Sequence, residues 1–154
     1  MQKVLAVLAA LFVAACTSYG PVEIDEFQKA TVEAVPESEG NMGFAHSAAW
    51  FPNAGEPAGM QGEGQAGGAL MVTDKAVIWA QWEADNKRFK PVKRIAAQDI
   101  NKVTLATFGD KEAIVVESKG LKQDAFVLVE ADGSLPAADA IEHGQAAIRQ
   151  LIKK

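Results

Sequence analysis

Between residues 69 and 130 the chain runs through six short segments rich in Val, Ile, Trp and Phe: Ala69–Thr73, Ala76–Glu83, Phe89–Ile95, Asn101–Phe108, Ala113–Ser118 and Ala125–Glu130. Each has the length of a β-strand, and they are divided by Asp74-Lys75, Asp85-Asn86, Gly109-Asp110 and Gly120, the residue types that turn a chain. That spacing describes an antiparallel meander. It sets the fold class as α+β and β-rich, with six to seven strands in a meander or barrel.

The flanks are helical in period. After the turn Asp132-Gly133-Ser134, residues 136–153 repeat Ile141, Gly144, Ile148, Leu151 and Ile152 along one stripe, an amphipathic C-terminal helix. Lys153 and Lys154 suit its negative end. From Val22 to Val35, Ile24, Phe27, Thr31, Ala34 and Val35 fall on one helical face, between Pro21 and Pro36. Residues 37–68 hold eight glycines and read as a long loop with one short strand around Met42–Phe51. Within them Gly62-Glu63-Gly64-Gln65-Ala66-Gly67 is formally GxGxxG. A dinucleotide site needs that motif after a strand and opening a helix, whereas here it precedes a strand. No cofactor is expected.

The amino end carries a different signal. Lys3 is followed by Val4 to Ala15, twelve residues without a polar side chain. A helix that spans about 30 Å of hydrocarbon takes roughly 20 residues, so the run suits an export signal. It ends Val13-Ala14-Ala15-Cys16, and this is the only cysteine in the chain. The four residues resemble the lipobox of bacterial lipoproteins, an aliphatic residue and two small ones before cysteine. The resemblance implies cleavage after Ala15, a diacylglyceryl group on the Cys16 thiol and an acyl group on its new amino end. It also implies a place in the cell envelope, and Thr17, rather than aspartate, after the cysteine favours the periplasmic face of the outer membrane. One cysteine leaves no intramolecular disulfide, so a core must hold the exported domain. On this reading residues 1–15 are the signal, 16–21 a lipidated tether, and 22–154 one globular unit.

Within that unit, Gly68-Ala69-Leu70-Met71-Val72-Thr73-Asp74, Val77-Ile78-Trp79, Ile95, Ile100 and Val103 resemble the pattern of GRAM and bacterial PH-like domains. The resemblance covers residues 68–152. It implies a PH-like barrel closed by the C-terminal helix, over a domain at 68–154 preceded by the helix and glycine-rich segment of 22–67.

Chemistry is harder to find. The net charge is -5, which becomes -6 when Lys3 leaves with the signal. That balance argues against nucleic-acid binding, which needs a basic face. Residues 17–65 hold eight acids and one lysine, whereas Lys87–Lys122 holds nine bases and four acids, so two electrostatic faces are expected. The two histidines, His46 and His143, stand apart from any metal or triad motif, and no catalytic residue is assigned. Trp79 and Trp82, three apart on a strand, face opposite sides. Trp50-Phe51 either plug a barrel end or meet a partner. The sharpest charged feature is Lys87-Arg88-Phe89-Lys90-Pro91-Val92-Lys93-Arg94. Lys87, Arg88, Lys90, Lys93 and Arg94 could grip an anionic lipid headgroup or an acidic envelope protein. The reading that weighs more is that they protect an edge strand from unwanted pairing. The expectation is a non-enzymatic binding or scaffolding module anchored through Cys16. The alternatives are a ligand-free structural or assembly component of the envelope and, behind it, an enzyme acting on envelope lipid or peptidoglycan, which would have to gather His46 or His143 with acids in a pocket.

Overall fold

A computed structural model describes residues 18–52, 54, 65–108 and 110–154. Cys16, the export signal and residues 62–64 of the glycine motif lie outside the described residues. The elements in order are helix α1 (Ile24–Ala34), strands β1 (Met42–Phe51), β2 (Gln65–Thr73), β3 (Ala76–Glu83), β4 (Arg88–Ala96), β5 (Ile100–Phe108), β6 (Lys111–Ser118) and β7 (Lys122–Leu128), and helix α2 (Ala138–Ile152). Single 3₁₀ turns occupy Glu37–Glu39 and Ala97–Asp99. Among the described residues no helix is long and apolar enough to cross a membrane.

All seven strands join one antiparallel sheet in the order β4-β3-β2-β1-β7-β6-β5. Two meanders, β1 to β4 and β5 to β7, are therefore fused where β1 pairs with β7, Ala48 opposite Leu128 and Phe51 opposite Ala125. Strands β4 and β5 are the outermost in this order, yet only Ala97–Asp99 connects them. Four Cα steps reach about 15 Å, while six strand spacings of ~4.8 Å would put the edges of a flat sheet ~29 Å apart. The sheet must curl until its edges approach, although it does not close.

The concave side holds the main core. Leu70, Trp79, Ile114, Phe126 and Leu128 pack there with Ile148 and Leu151 of α2. The convex side carries two smaller clusters. Phe27, Ala30 and Ala34 of α1 cover Ala69, Met71, Ile78, Ala80 and Phe89, while Tyr19 and Phe51 lie on Val115, Val127 and Val129. Trp79 and Trp82 face opposite sides: Trp79 is fully buried in the main core and Trp82 stacks on Phe89 beneath α1. At the chain end Lys154 Nζ reaches Asp74 Oδ1 at 2.8 Å, and Asp74 also accepts the Asn41 N–H, fastening α2 to the β2–β3 turn.

Two expectations needed correction, the start of β2 and the place of Ile24, whereas the strand expected around Met42–Phe51 is present at those residues as β1, central to the sheet. Its Ala45 packs in the cluster under α1 and its Ala48 in the main core, so packing overrides the low β-propensity of alanine. Strand β2 begins at Gln65, ahead of the position where the pattern resemblance starts. Gly68 sits inside it because a Cβ there would overlap Ala80 O and the Trp79 indole. Finally, Ile24 does not join the buried stripe of its helix: it is 70% exposed, and burial begins at Phe27.

Candidate functional site

Away from α2, the last residues of β1 and β3 meet the first residues of β2, β4 and β7. This end of the concave face carries polar groups. Trp50, on β1, points inward and donates its indole N–H to Asp124 Oδ1 at 2.8 Å. Lys93 Nζ on β4 lies 3.7 Å from Asp124 Oδ2. The pair crosses the mouth of the curled sheet, from its β4 edge to β7. Trp79 stacks at a tilt on Trp50, centroids 5.6 Å apart, and its own N–H is taken by Ala48 O at 2.9 Å. An inward carboxylate only 4% exposed would be costly alone, and the Trp50 hydrogen bond together with the nearby Lys93 charge offsets its desolvation. Of the pair Trp50-Phe51, Trp50 thus plugs the mouth while Phe51 lies against the convex face.

Around the rim, Arg88 Nε donates to Glu83 Oε2 at 2.8 Å across the β3–β4 hairpin, and Asn86 Nδ2 adds a bond at 3.2 Å. These bonds, Arg88 first, hold the Glu83 carboxyl below the usual carboxylate range. Lys90 shares this face, opposite Gln81. Lys87 occupies the turn with φ 48°, a left-handed conformation that a lysine adopts at some cost.

The five bases do not form the single patch that their spacing suggests. A bulge lets Trp79 pair with Lys93 and Ala80 with Pro91, leaving Val92 as an extra residue. The extra residue reverses the alternation of faces. Arg94 therefore turns to the convex side, where its Nε and Nη2 grip Glu39 Oε1 and Oε2 at 2.6 and 3.0 Å. The fork holds Glu39 below its ordinary range and raises Arg94 further. Arg88, Lys93 and Arg94 are thus each committed to an acid. Among the described residues Lys87 and Lys90 form no ion pair. β4 is an edge strand, and its proline, bulge and lysines fit the protection such edges need.

His46 lies on β1 with Nδ1 2.9 Å from Ser47 O and Nε2 3.9 Å from Glu130. His143 is exposed on α2 beside Asp139 at 4.0 Å. The two histidines stand on different elements, each with its own acid. Among the described residues no three His, Cys, Asp or Glu side chains are grouped to hold a metal ion. The sequence reading missed Asp124 and Glu39. Asp124 was hidden because the strand was expected to start only at Ala125, and Glu39, in a 3₁₀ turn, had no signal.

Comparison with known proteins adds fold and nothing finer. No family profile matches the chain, and no curated protein does. Among solved structures it resembles that of Vav1 inhibited by an allosteric inhibitor, with a TM-score of 0.57 at 9% identity, over 84% of this chain and 32% of that one. The chain thus spans about a third of the Vav1 chain it matches. The likeness supports a PH-like arrangement of the sheet and its C-terminal helix.

Proposed function

We propose that this protein is a non-enzymatic binding or scaffolding module of the bacterial cell envelope, held at the membrane by a lipid on Cys16. The observation that carries this reading is in the sequence: the only cysteine follows twelve uncharged residues and closes a Val-Ala-Ala-Cys lipobox. Two or more acyl chains give lasting attachment where one gives only marginal binding. Thr17, in place of the aspartate that retains many such lipoproteins at the inner membrane, favours the periplasmic face of the outer membrane. The PH-like arrangement offers the mouth of the curled sheet as its contact surface, where Lys87 and Lys90 remain available to an anionic group and Arg88 can exchange Glu83 for one. Lys93 and Arg94, committed to Asp124 and Glu39, act in the fold instead.

The test is fractionation of bacteria that produce the full chain, its Cys16→Ser variant and a Lys87→Gln, Lys90→Gln double variant, followed by cross-linking in intact envelopes. The expected result is that Cys16→Ser leaves the membrane fraction while keeping its fold, and that the double variant stays there but loses its cross-linked species. A Cys16→Ser protein still sedimenting with the membrane contradicts the anchor. A double variant with unchanged cross-links contradicts the use of the mouth.

A further inference from the structure

Attachment of the chain to its domain begins earlier than the lipid-to-domain tether of residues 16–21 implies. Tyr19 lies within the convex cluster of Val115, Val127 and Val129, and Gly133 faces its ring: a Cβ at Gly133 would stand 3.6 Å from Tyr19 Cε2. Gly20 follows with φ +120° and no space for a side chain, since a Cβ would be 2.6 Å from Phe89 Cζ. Only Thr17 and Ser18 separate Tyr19 from Cys16. Three Cα steps reach at most about 11 Å. A lipid on Cys16 would therefore bring the bilayer surface to the edge of the domain where Tyr19 is seated.

Just past that point stand two large apolar side chains with nothing over them. Val22 is 80% exposed and Ile24 70% exposed, although the helical period of α1 assigns Ile24 to its buried stripe. Ile24 opens α1, ahead of Phe27, so it projects beyond the packed part of the helix. Interfacial elements bury such residues about 5–10 Å into the boundary between headgroups and acyl chains. Glu23, Asp25 and Glu26 flank the two side chains and are themselves exposed. Acids at the headgroup level disfavour an anionic leaflet.

We propose that Val22 and Ile24 insert into the surface of a zwitterionic bilayer, the membrane that holds the Cys16 lipid, and so fix the domain with the first turn of α1 against it. This rests on the reading that Cys16 is lipidated. It assigns the domain an orientation: the tether is too short for free rotation, and the exposed apolar pair lies beside it.

The thiol of Cys16 is consumed by lipid in that reading, so an introduced cysteine is a unique labelling site. The lipidated full chain, carrying Ile24→Cys or Gln150→Cys and an environment-sensitive fluorophore, would be reconstituted in phosphatidylcholine vesicles with quencher-bearing acyl chains. Gln150 is exposed on α2, across the sheet from α1. Lipid quenching about twofold or more stronger at position 24 than at 150 is the expected result. Adding phosphatidylglycerol should reduce it. Equal quenching at both positions, in protein whose mass shows acylated Cys16, overturns the docking while the anchor stands. Stronger quenching with phosphatidylglycerol overturns the assignment of a zwitterionic surface. Protein without acyl mass removes the anchor, and the docking with it. Both variants replace exposed side chains, and a matching circular-dichroism spectrum verifies the fold.

Discussion

At the scale of single residues, charged groups are used to hold distant parts of the chain together. Glu39, which the sequence marks in no way, receives both arms of Arg94 and ties the turn after α1 to the edge strand β4. Because its carboxyl is held below the ordinary range, chiefly by the Arg94 bonds, its contribution to stability is full above the pKa of the unfolded chain, about 4.3, and fades as the pH falls through the lowered folded value. Hydrogen bonds to charged groups contribute about 1.5–3 kcal/mol, and Arg94 is half exposed, so Glu39→Gln should cost about 1–2 kcal/mol at pH 7. Urea unfolding of both proteins should show that difference at neutral pH and its narrowing below about pH 4. A difference that stays constant down to pH 3 would contradict the role assigned to the fork. Asp124 plays the corresponding part inside the mouth, where Lys93 and the Trp50 indole share it.

Whole elements show which physical signals a sequence carries and which it does not. Strand β3, Ala76–Glu83, was readable to the residue because Val77, Ile78 and Trp79 are strand formers bounded by turn residues. Strand β7 was read as Ala125–Glu130 but runs from Lys122 to Leu128, because the polar Lys122-Gln123-Asp124 at its start disguises it. Strand β1 lies at Met42–Phe51, where a strand was expected, but its central place in the sheet depends on partners, Ala45 packing under α1 and Ala48 in the main core, and no local rule encodes a neighbour. The basic run of β4 was legible as charge, yet the bulge at Val92 that divides it between two faces was not. Gly68 shows the same dependence on a partner. It lets β2 approach β3 under the indole of Trp79, where a Cβ would overlap a backbone oxygen and a buried ring that cannot retreat. Gly68→Ala should lower stability by about 1–3 kcal/mol or more. Thermal unfolding followed by tryptophan fluorescence would register this as an earlier transition, and an unchanged midpoint would mean the strands part there without cost.

For the molecule as a whole, architecture and position reinforce each other. The curled sheet carries a helix on either side, and its concave face buries a continuous core that runs from Ala48 and Trp50 of β1 to Leu151 of α2. The chain enters this unit at Tyr19 and Gly20, on the convex side, so the anchor proposed three residues upstream would hold the domain close. The fold class and both helices were open to sequence reasoning, since they depend on periodicity. The seating of the tether was not, since it depends on a space beside Phe89 that only the folded chain creates. Every functional step rests on the modification of Cys16. The most direct measurement is the intact mass of the full chain extracted from the membranes of a bacterium that produces it. The account predicts a polypeptide beginning at Cys16 and heavier than its amino acids by a diacylglyceryl group and a further acyl chain. An unmodified Cys16, on a chain cut elsewhere or retaining Met1, would contradict it.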